Sequence, residues 1–198
     1  GYESAFVLPP DAPDTADLRL RFFLPTGEVE MCGHATIGAL WLLKEAGVVR
    51  AGRLRVQTQS GVVAGWIADE AGRTRVEISQ PRGTVEPLSA EHARAVLDVL
   101  GLERDDVLDL PMLNAATSRV KTLVPMRSVA RLNALAPRLE RMKSVCEAIG
   151  STGLYPFAAS NRQELPTYEA RQFPRASGYP EDAPTGIAAT ALAFGLRY

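Results

Sequence analysis

Residues 31–43, MCGHATIGALWLL, decide the fold, because small and polar residues there lead into an almost continuous apolar run. This pattern predicts a helix that is hydrophobic on every side and ends at Gly47, and such a helix belongs in a core. Its first turn, from Gly33 to Thr36, has side chains small enough to leave the backbone N–H groups open. Those donors and the positive end of the helix dipole suit a carboxylate or an oxyanion. The stretch therefore predicts a buried helix whose N-terminus faces a ligand.

The end of the chain repeats this pattern, with Gly186 followed by an apolar helix up to Leu196. The separation of Gly33 and Gly186 is too large for a solenoid repeat and suits two similar halves. Two unrelated core helices would give the same pattern, so the pattern alone leaves both interpretations open. If the two helix N-termini face each other, they line a cleft between the halves, where small-molecule sites tend to form.

The composition is that of an ordinary globular protein, with 46% hydrophobic and 23% charged residues among 198. Lys and Arg (22) nearly balance Asp and Glu (23), which leaves no electrostatic footprint for nucleic acid or an anionic membrane. No apolar run reaches the roughly 18 residues that span a bilayer, and no signal-peptide pattern opens the sequence. Cys32 and Cys146 have neither metal-type spacing nor a disulfide framework. We expect a cytoplasmic protein that holds no metal and binds neither nucleic acid nor a membrane.

Local patterns predict the remaining elements. Alternation of apolar and basic residues predicts a half-buried strand at residues 18–24, followed by a turn at 25–27. Ser89 and Gly101 delimit a surface helix over residues 90–100. Further strands are predicted at 4–9, 54–57, 62–68, 74–78, 105–111, 121–124, 154–159 and 168–173, and helices at 129–135 and 138–149. Short connections predict antiparallel hairpins among the strands between residues 54 and 78.

Four residues, three of them beside the two helix starts, carry polar or nucleophilic groups that could act in a site. Glu3 precedes the first strand, where most glutamates are solvated charges. His34 lies in a first helical turn, where the dipole favours a neutral imidazole that can donate to a substrate oxygen, although most single histidines are structural. Asp182 precedes the second helix, where a cap is the alternative role. Cys32 is either a thiolate base or a small buried hydrophobic side chain.

Three motifs resemble those of the phenazine-biosynthesis PhzF-like family. Residues 31–36, MCGHAT, are similar to the signature of its N-terminal half. Residues 171–173, RQF, and 181–186, EDAPTG, are similar to its second-half motif. Residues 2–7, YESAFV, resemble the segment that carries its catalytic glutamate, and residues 123–125 match between the motifs. The resemblance therefore spans nearly the whole chain, with the motifs in the family's order and spacing.

The resemblance implies an α+β, diaminopimelate-epimerase-like fold. In that fold two pseudo-symmetric halves, here residues 1–112 and 113–198, each wrap a twisted, mostly antiparallel sheet around a central helix. The site lies in the cleft between the halves. The resemblance also implies a cofactor-independent isomerase, commonly a homodimer. The phenazine-biosynthesis member isomerises trans-2,3-dihydro-3-hydroxyanthranilate by moving a proton between ring carbons with its glutamate.

Carried over by motif, Glu3 would be the general acid and base. His34 and Asp182 would orient the polar groups of the substrate. The N–H groups around Gly33 and Gly186 would hold the carboxylate of a small substrate, of which a cyclic compound is one candidate. The resemblance implies no cofactor.

The sequence also departs from the family pattern. Ile187 stands where a serine usually follows the second-half Thr-Gly, which makes the wall of the site less polar. Tyr2 stands where a serine usually precedes the glutamate. Family members have a strand-helix region before Glu3 and several strands after the second central helix. We therefore expect a fragment or a chain that a partner completes, with Leu192 and Phe194 exposed.

Three functions remain open from the sequence. The first is a PhzF-type isomerase, the second an amino-acid epimerase or racemase with two bases, and the third a catalytically degenerate binding or interaction protein. A two-thiol epimerase needs a cysteine at each helix start. Cys32 is at the first, but Asp182 is at the second and Cys146 is in another helix, which disfavours that mechanism. Ile187 favours the degenerate protein, and the acidic and histidine residues of the motifs favour the isomerase.

Overall fold

The computed structural model describes residues 4–24, 27–80, 82–160, 167–176, 178–182 and 185–198 of the 198-residue chain. The chain is α+β and divides into two compact units, Gly1–Arg82 and Gly83–Tyr198. Each unit has a six-stranded sheet. The predicted α+β class with two sheets is therefore confirmed.

The first unit wraps its sheet around one long helix. Its elements are β1 (Ser4–Leu8), β2 (Leu18–Leu24), β3 (Gly27–Val29), α1 (Gly33–Glu45), β4 (Gly52–Thr58), β5 (Gly61–Glu70) and β6 (Arg73–Ile78). The strands lie in the order β1-β2-β4-β5-β6, and β3 pairs with β2. The β2–β4 pair is parallel, and the other pairs are antiparallel, including the predicted β4–β5 and β5–β6 hairpins. Residues 25 and 26 of the predicted turn lie outside the described residues.

Burial in β2 follows the alternation of its sequence. Leu18, Leu20 and Phe22 are buried, and the residues between them are partly exposed. These apolar side chains share a core with Leu40 of α1. Gly65 of β5 allows the close approach of the helix, because a Cβ at Gly65 would lie 2.7 Å from Cδ1 of Leu40. The helix is therefore held against the sheet by a narrow stripe of contacts.

The expectation that α1 is buried on every side is wrong for the described structure. Thr36 and Leu40 are buried, but Ile37, Trp41 and Leu42 are exposed, Leu42 by 62%. The cause is the sheet, which covers only the face of α1 that carries Thr36 and Leu40. An apolar sequence on all sides of a helix indicates what the helix can bury, and the neighbouring elements decide what it does bury.

The second unit adds two layers of helices to its sheet. Its elements are β7 (Thr84–Pro87), α2 (Ala90–Leu100), β8 (Leu113–Ala116), β9 (Val120–Pro125), α3 (Val129–Asn133), α4 (Leu139–Ala148), β10 (Gly153–Ser160), β11 (Thr167–Ala170), β12 (Phe173–Pro174) and α5 (Gly186–Gly195). The strands lie in the order β11-β10-β9-β8-β7, and β12 pairs with β10. The β9–β10 pair is parallel, and the other pairs are antiparallel.

The two sheets share one pattern of pairing. In each, a central strand (β2 or β10) pairs with an edge strand, with a parallel neighbour and with a short extra strand. The short strand (β3 or β12) leads in each unit into the long helix that begins at Gly33 or Gly186. This correspondence favours two related halves over two unrelated core helices.

The helices of the second unit lie on two faces of its sheet. Leu123 of β9 shares a cluster with Ala188 and Leu192 of α5. Its neighbour Val124 shares the other cluster with residues of α2, α3 and α4, among them Cys146. Successive side chains of a strand point to opposite faces, so α5 covers one face and α2 to α4 cover the other.

The two units divide earlier than the boundary expected at residues 112/113. The strand β7 pairs with β8, and α2 packs against α4 in the core of the second unit. The segment 83–112 therefore belongs to the second unit. The sequence did not indicate this, because β7 and β8 are short and carry no clear alternation.

Two local predictions are also wrong. The predicted strand at 105–111 is replaced by a 3-10 turn, Arg104–Asp106, with one isolated bridge from Val107 to Met126. Glu103 and Asp106 cap this turn reciprocally, which favours the turn over an extended segment. The predicted strand at 168–173 is split into β11 and β12.

Burial of α5 also differs from the expectation. Leu192 is only 7% exposed, because it packs into the cluster with β8 and β9, and Phe194 is partly buried. The ring of Phe194 occupies the space beside Gly83, where a Cβ would lie 2.3 Å from Cδ1 of the ring.

No helix within the described residues is long and apolar enough to cross a membrane.

Candidate functional site

The start of α1 leaves its first N–H groups without a side-chain cap. Cys32 is the N-cap residue, in extended conformation, and its side chain caps no backbone N–H there. Thr36 donates both its backbone N–H (2.9 Å) and its hydroxyl (2.8 Å) to the carbonyl oxygen of Cys32. The hydroxyl of Thr36 thus fixes the first turn from inside the core. A helix start without a side-chain cap suits an anion.

His34 and Cys32 lie side by side at this helix start. The imidazole of His34 is exposed, and Cys32 is 3% exposed. The sulfur of Cys32 lies 3.7 Å from Nδ1 and 3.8 Å from Nε2 of His34. The exposed ring can reach a ligand in solution, whereas the buried sulfur supports the ring from below. The structure therefore favours the buried-hydrophobe interpretation of Cys32.

The start of α5 is built in a similar way. Thr185 is the N-cap residue and makes no side-chain cap, and the first turn carries no acidic residue. Thr190 donates its hydroxyl to the carbonyl oxygen of Gly186 at 2.8 Å. Gly186 is exposed, and Ile187 is partly exposed. A threonine hydroxyl therefore binds back into the first turn in both α1 and α5.

Other helices of the chain do not share this open start. Ser89 accepts from the N–H of His92 at the start of α2, as predicted, and Ser128 accepts from the N–H of Arg131 at the start of α3. The helix α4 has no side-chain cap, but its first turn carries Glu140. Among the described helices of more than one turn, α1 and α5 combine an uncapped start with a first turn free of acidic residues. That combination suits an anionic ligand.

Asp182 lies just before α5 and is fixed through its backbone. Its N–H donates to the carbonyl oxygen of Gln172 at 2.9 Å, and its side chain is partly exposed. Asp182 therefore caps no turn that the structure describes, since residues 183 and 184 lie outside the described residues. Its carboxylate raises the pKa of Lys121 electrostatically.

Lys121 is a buried ammonium group to which the sequence analysis gave no role. It is 6% exposed, in a strand whose following residues are all buried. Burial, followed by the charge of Arg119, lowers the pKa of Lys121 to about 8. The signal in the sequence is a lysine in the otherwise apolar stretch 120–125, because a strand buried on both faces rarely carries a charge.

Gln172 is the second buried polar residue beside Asp182. It is 1% exposed, and neither Nε2 nor Oε1 has a hydrogen-bond partner among the described residues. Its amide lies over Gly153 of β10, where a Cβ would be 2.2 Å from Nε2. Gln172 is part of the second-half motif, but the sequence analysis named no role for it.

Arg171 holds the segment before α5 in place. Its Nε and Nη2 donate to the two carboxylate oxygens of Glu181 at 2.8 and 2.7 Å, and Nη1 donates to three carbonyl oxygens of residues 132–135. Its guanidinium lies over the ring of Phe173, 4.9 Å from the centroid. Arg171 and Phe173 therefore have a structural role. This anchoring fixes the chain on either side of Gln172.

Cys146 is unsuited to the role of a second thiol base. It is fully buried in α4, in the cluster on the sheet face opposite α5. Burial raises the pKa of the Cys146 thiol to about 11. Cys32 and Cys146 are both free thiols, but Cys146 is not at the start of α5. A two-thiol epimerase mechanism is therefore disfavoured by position and by protonation.

The remaining predicted site residues divide as follows. His34 and Gly33 lie at the start of α1 in the first unit, and Asp182, Gly186 and Ile187 lie at the start of α5 in the second. Glu3 lies outside the described residues. That both helix starts serve one ligand is therefore a proposal. No group of three or more His, Cys, Asp or Glu residues in the described ranges is arranged to hold a metal ion.

Comparison with known proteins agrees with this architecture. The family model of phenazine biosynthesis-like proteins, PhzC-PhzF, matches residues 2–197. The chain is 33% identical over 199 residues to the uncharacterized isomerase YddE of Escherichia coli K12, which covers 94% of this chain and 62% of YddE. The chain therefore spans about three fifths of the length of this curated relative.

Solved structures show the same fold. A PhzF-family phenazine biosynthesis protein of Bacillus anthracis superposes with a TM-score of 0.79 at 26% identity, covering 96% of this chain and 64% of that one. A predicted epimerase of Pseudomonas aeruginosa superposes with a TM-score of 0.78 at 23% identity, covering 98% and 66%. The diaminopimelate-epimerase-like fold expected from the sequence is thus confirmed.

Proposed function

Because the chain belongs to the phenazine biosynthesis-like, PhzC-PhzF family, we propose that it is a cofactor-independent isomerase of a small carboxylated substrate. A cyclic compound of the trans-2,3-dihydro-3-hydroxyanthranilate type is one candidate. The observation that carries the proposal is the shared form of α1 and α5, which both begin at a glycine with an uncapped, acid-free first turn. Open helix starts of this kind favour a carboxylate.

In the proposed reaction Glu3 acts as general acid and base. Its carboxylate removes a proton from a carbon of the substrate, and the electron pair left behind shifts along the adjacent unsaturated system. The protonated Glu3 then returns the proton to another carbon, so the product is an isomer and the carboxylate is regenerated. A single carboxyl group serves both steps, and no other reactant is consumed.

His34, Asp182 and the helix starts have supporting roles in this proposal. His34, exposed at the first turn of α1, donates to an oxygen on which charge develops. Asp182 accepts from a hydroxyl or amino group of the substrate. The N–H groups around Gly33 and Gly186 hold the carboxylate. Ile187 gives the second helix start a less polar wall than a serine would.

Several further properties belong to the same proposal. We infer a homodimer in a reducing, cytoplasmic setting, with a role in biosynthesis, from the family resemblance. The relative YddE is named an isomerase, which supports the reaction class. The alternative of a degenerate binding protein is kept for the test, because Ile187 removes a polar group from the second helix start.

The test is proton NMR of the protein with trans-2,3-dihydro-3-hydroxyanthranilate and a panel of other small cyclic carboxylates in D₂O. We expect turnover with incorporation of deuterium for at least one compound. Glu3→Gln keeps the size of the side chain and removes its basicity, so the rate falls by about 100-fold or more. Glu86→Gln, at an exposed position of β7, is the matched control and keeps full activity.

Two outcomes would contradict the proposal. Turnover that persists at full rate in Glu3→Gln removes Glu3 from the mechanism. A folded protein that binds the carboxylates but neither exchanges deuterium nor converts any of them is the degenerate binding protein. In that case Glu3→Gln leaves the affinity for the carboxylates unchanged.

A further inference from the structure

Buried polar groups are grouped on the face of the second sheet that carries α5. Lys121 and Leu123 are two residues apart in β9, so their side chains share a face, and Leu123 packs against α5. In the parallel pair β9–β10, Leu154 is aligned with Thr122. One step back along both strands, Gly153 is therefore aligned with Lys121, on the same face.

The position of Gly153 places Gln172 on the same face as Lys121. Gly153 has no side chain, and the amide of Gln172 fills the space above it, 2.2 Å from where a Cβ would be. The amide of Gln172 therefore lies on the face that carries α5, over the residue that is aligned with Lys121. Asp182 completes the group, because its N–H binds the carbonyl oxygen of Gln172 and its charge acts on Lys121.

The β8–β9 hairpin adds a further buried polar group close in sequence to Lys121. Ala115 of β8 is paired with Lys121, and Thr117 follows the end of β8 in the turn. Thr117 is 5% exposed, and its hydroxyl has no hydrogen-bond partner among the described residues. The charge of Arg119, from the same turn, also acts on Lys121.

Two of these groups lack the partners that burial normally requires. Within the described ranges, the amide of Gln172 and the hydroxyl of Thr117 have no hydrogen-bond partner. Buried polar groups are almost always paired. The amide and the hydroxyl can donate, as can the ammonium of Lys121, and such a set of donors suits an anion.

We propose that Lys121 and Gln172 form a carboxylate-binding subsite beside Asp182, with Thr117 at its rim. This inference rests on the proposed function, because it assigns the subsite to the same ligand that Asp182 orients. The subsite selects substrates that place an anionic oxygen pair next to Asp182. It also makes binding sensitive to pH, because only protonated Lys121 attracts the anion.

The charged groups that face Lys121 set the direction of this sensitivity. Arg119 opposes its protonation from the hairpin, and Asp182, before α5, favours it, whereas Cys146, in α4, would favour it only as a thiolate. With burial these groups leave the pKa of Lys121 at about 8. Cys146 is neutral at that pH, because the pKa of its thiol is about 11. Binding of a carboxylate is therefore strong below pH 8 and is lost as the pH rises above it.

The three lysines of the chain make a direct test feasible. With ¹³C at lysine Cε, NMR gives one resonance each for Lys44, Lys121 and Lys143, and Lys44→Arg and Lys143→Arg assign Lys121 without changing it. The protein is titrated with base in chloride, in acetate and in phosphate at equal ionic strength. Lys143, exposed in α4, is the internal control.

We expect acetate, compared with chloride, to raise the pKa of Lys121 by about 0.5 or more and to leave Lys143 unchanged. Gln172→Met removes the amide at nearly constant volume and should reduce that rise by at least half. An equal pKa of Lys121 in chloride and acetate would overturn the subsite. A larger rise in phosphate than in acetate would overturn its assignment to a carboxylate.

The result of the lysine titration can be distinguished from the result of the activity test of the proposed isomerase. The lysine titration needs no turnover. A response of Lys121 to acetate without isomerisation of any substrate would therefore support the subsite and contradict the proposed isomerase reaction. Turnover without any response of Lys121 to acetate upholds the isomerase and removes the subsite. An acetate response that survives undiminished in Gln172→Met removes Gln172 from the subsite.

Discussion

Arg171 and Glu181 form a bidentate ion pair, with Nε–Oε1 and Nη2–Oε2 distances of 2.8 and 2.7 Å. The pair closes the loop that carries Gln172 and leads to Asp182. Nη1 of the same guanidinium donates to the carbonyl oxygens of Leu132 and Leu135 at the end of α3. One side chain therefore ties the approach to α5 to a helix on the other face of the sheet.

Arg171→Lys should destabilise the second unit. A lysine lacks the planar guanidinium group with its several N–H donors, so it cannot bind Glu181 and the carbonyl oxygens of α3 at the same time. We expect the free energy of unfolding, measured with urea, to fall by about 1–2 kcal/mol. Arg75→Lys, in an exposed pair with Glu70, is the control and should change little. Equal losses in the two variants would show that the Arg171 network is no stronger than a surface ion pair.

The pair with Arg171 also predicts a pH dependence. Hydrogen bonding to Arg171 lowers the pKa of Glu181 below its usual 4.5. A lowered carboxyl pKa stabilises the fold above the unfolded pKa, and this contribution is lost as the pH falls through the folded pKa. The stability deficit of Glu181→Gln relative to wild type should therefore be present at pH 7 and shrink below about pH 4. A deficit that is unchanged at low pH would contradict this.

Thr36 and Thr190 allow a comparison of the two helix starts. Both hydroxyls bind back into the first turn, but Thr36 is fully buried and Thr190 is not. We expect Thr36→Val to cost about 1 kcal/mol in urea unfolding, because the valine cannot replace the hydrogen bond. Water can replace the bond at Thr190, so Thr190→Val should cost less. The reverse order would mean that the hydroxyl of Thr36 adds nothing to the stability of α1.

The sequence predicted elements where a local signal is sufficient. Ser89 and Gly101 fix the two ends of α2 through a side-chain cap and a left-handed residue, and both act within a few residues. The alternation in residues 18–24 fixes the buried face of β2. By contrast, β7 is placed by its pairing with β8, nearly thirty residues later. Such pairing leaves no local signal in the sequence.

The candidate site was predicted to a similar extent. The sequence points to His34 and Asp182 because glycine-rich helix starts are visible in it, and their roles remain proposals. It does not point to Lys121 and Gln172, because their placement on one face depends on the register of the parallel pair β9–β10 and on the missing side chain of Gly153. A parallel register is set by the whole sheet, and no single stretch of sequence encodes it.

Two helical glycines should respond to alanine with opposite signs. A Cβ at Gly195 in α5 would lie 2.2 Å from Cδ1 of Leu123, which is itself buried. Gly195→Ala should therefore lower the free energy of unfolding by about 1–3 kcal/mol. Gly38 in α1 has no atom within 4 Å of such a Cβ. Gly38→Ala should raise the free energy of unfolding by about 0.5–1 kcal/mol, because alanine loses less backbone entropy than glycine when a helix forms. A stabilising Gly195→Ala would show that α5 packs less closely on β9 than described.

Lys121 should make stability depend on pH in the alkaline range. Its pKa is about 8 in the folded chain and 10.5 in the reference state. Below pH 8 both states hold the proton, so the folded state bears the full cost of a buried charge. Between these two values only the unfolded chain keeps the proton, so the stability of the wild type rises with pH. The cost has disappeared once the pH exceeds 10.5.

Lys121→Met tests this directly, because methionine keeps the apolar length of the side chain and removes the charge. We expect it to raise the free energy of unfolding at pH 7 by about 2–3 kcal/mol, and the gain should decline steadily between pH 8 and pH 10. Lys143→Met, at an exposed position, should show no such trend. Parallel pH profiles for wild type and Lys121→Met would mean that Lys121 keeps an ordinary pKa in the fold. A gain in stability on removing Lys121, together with weaker carboxylate binding, is the pattern expected of a charge that serves binding and costs stability.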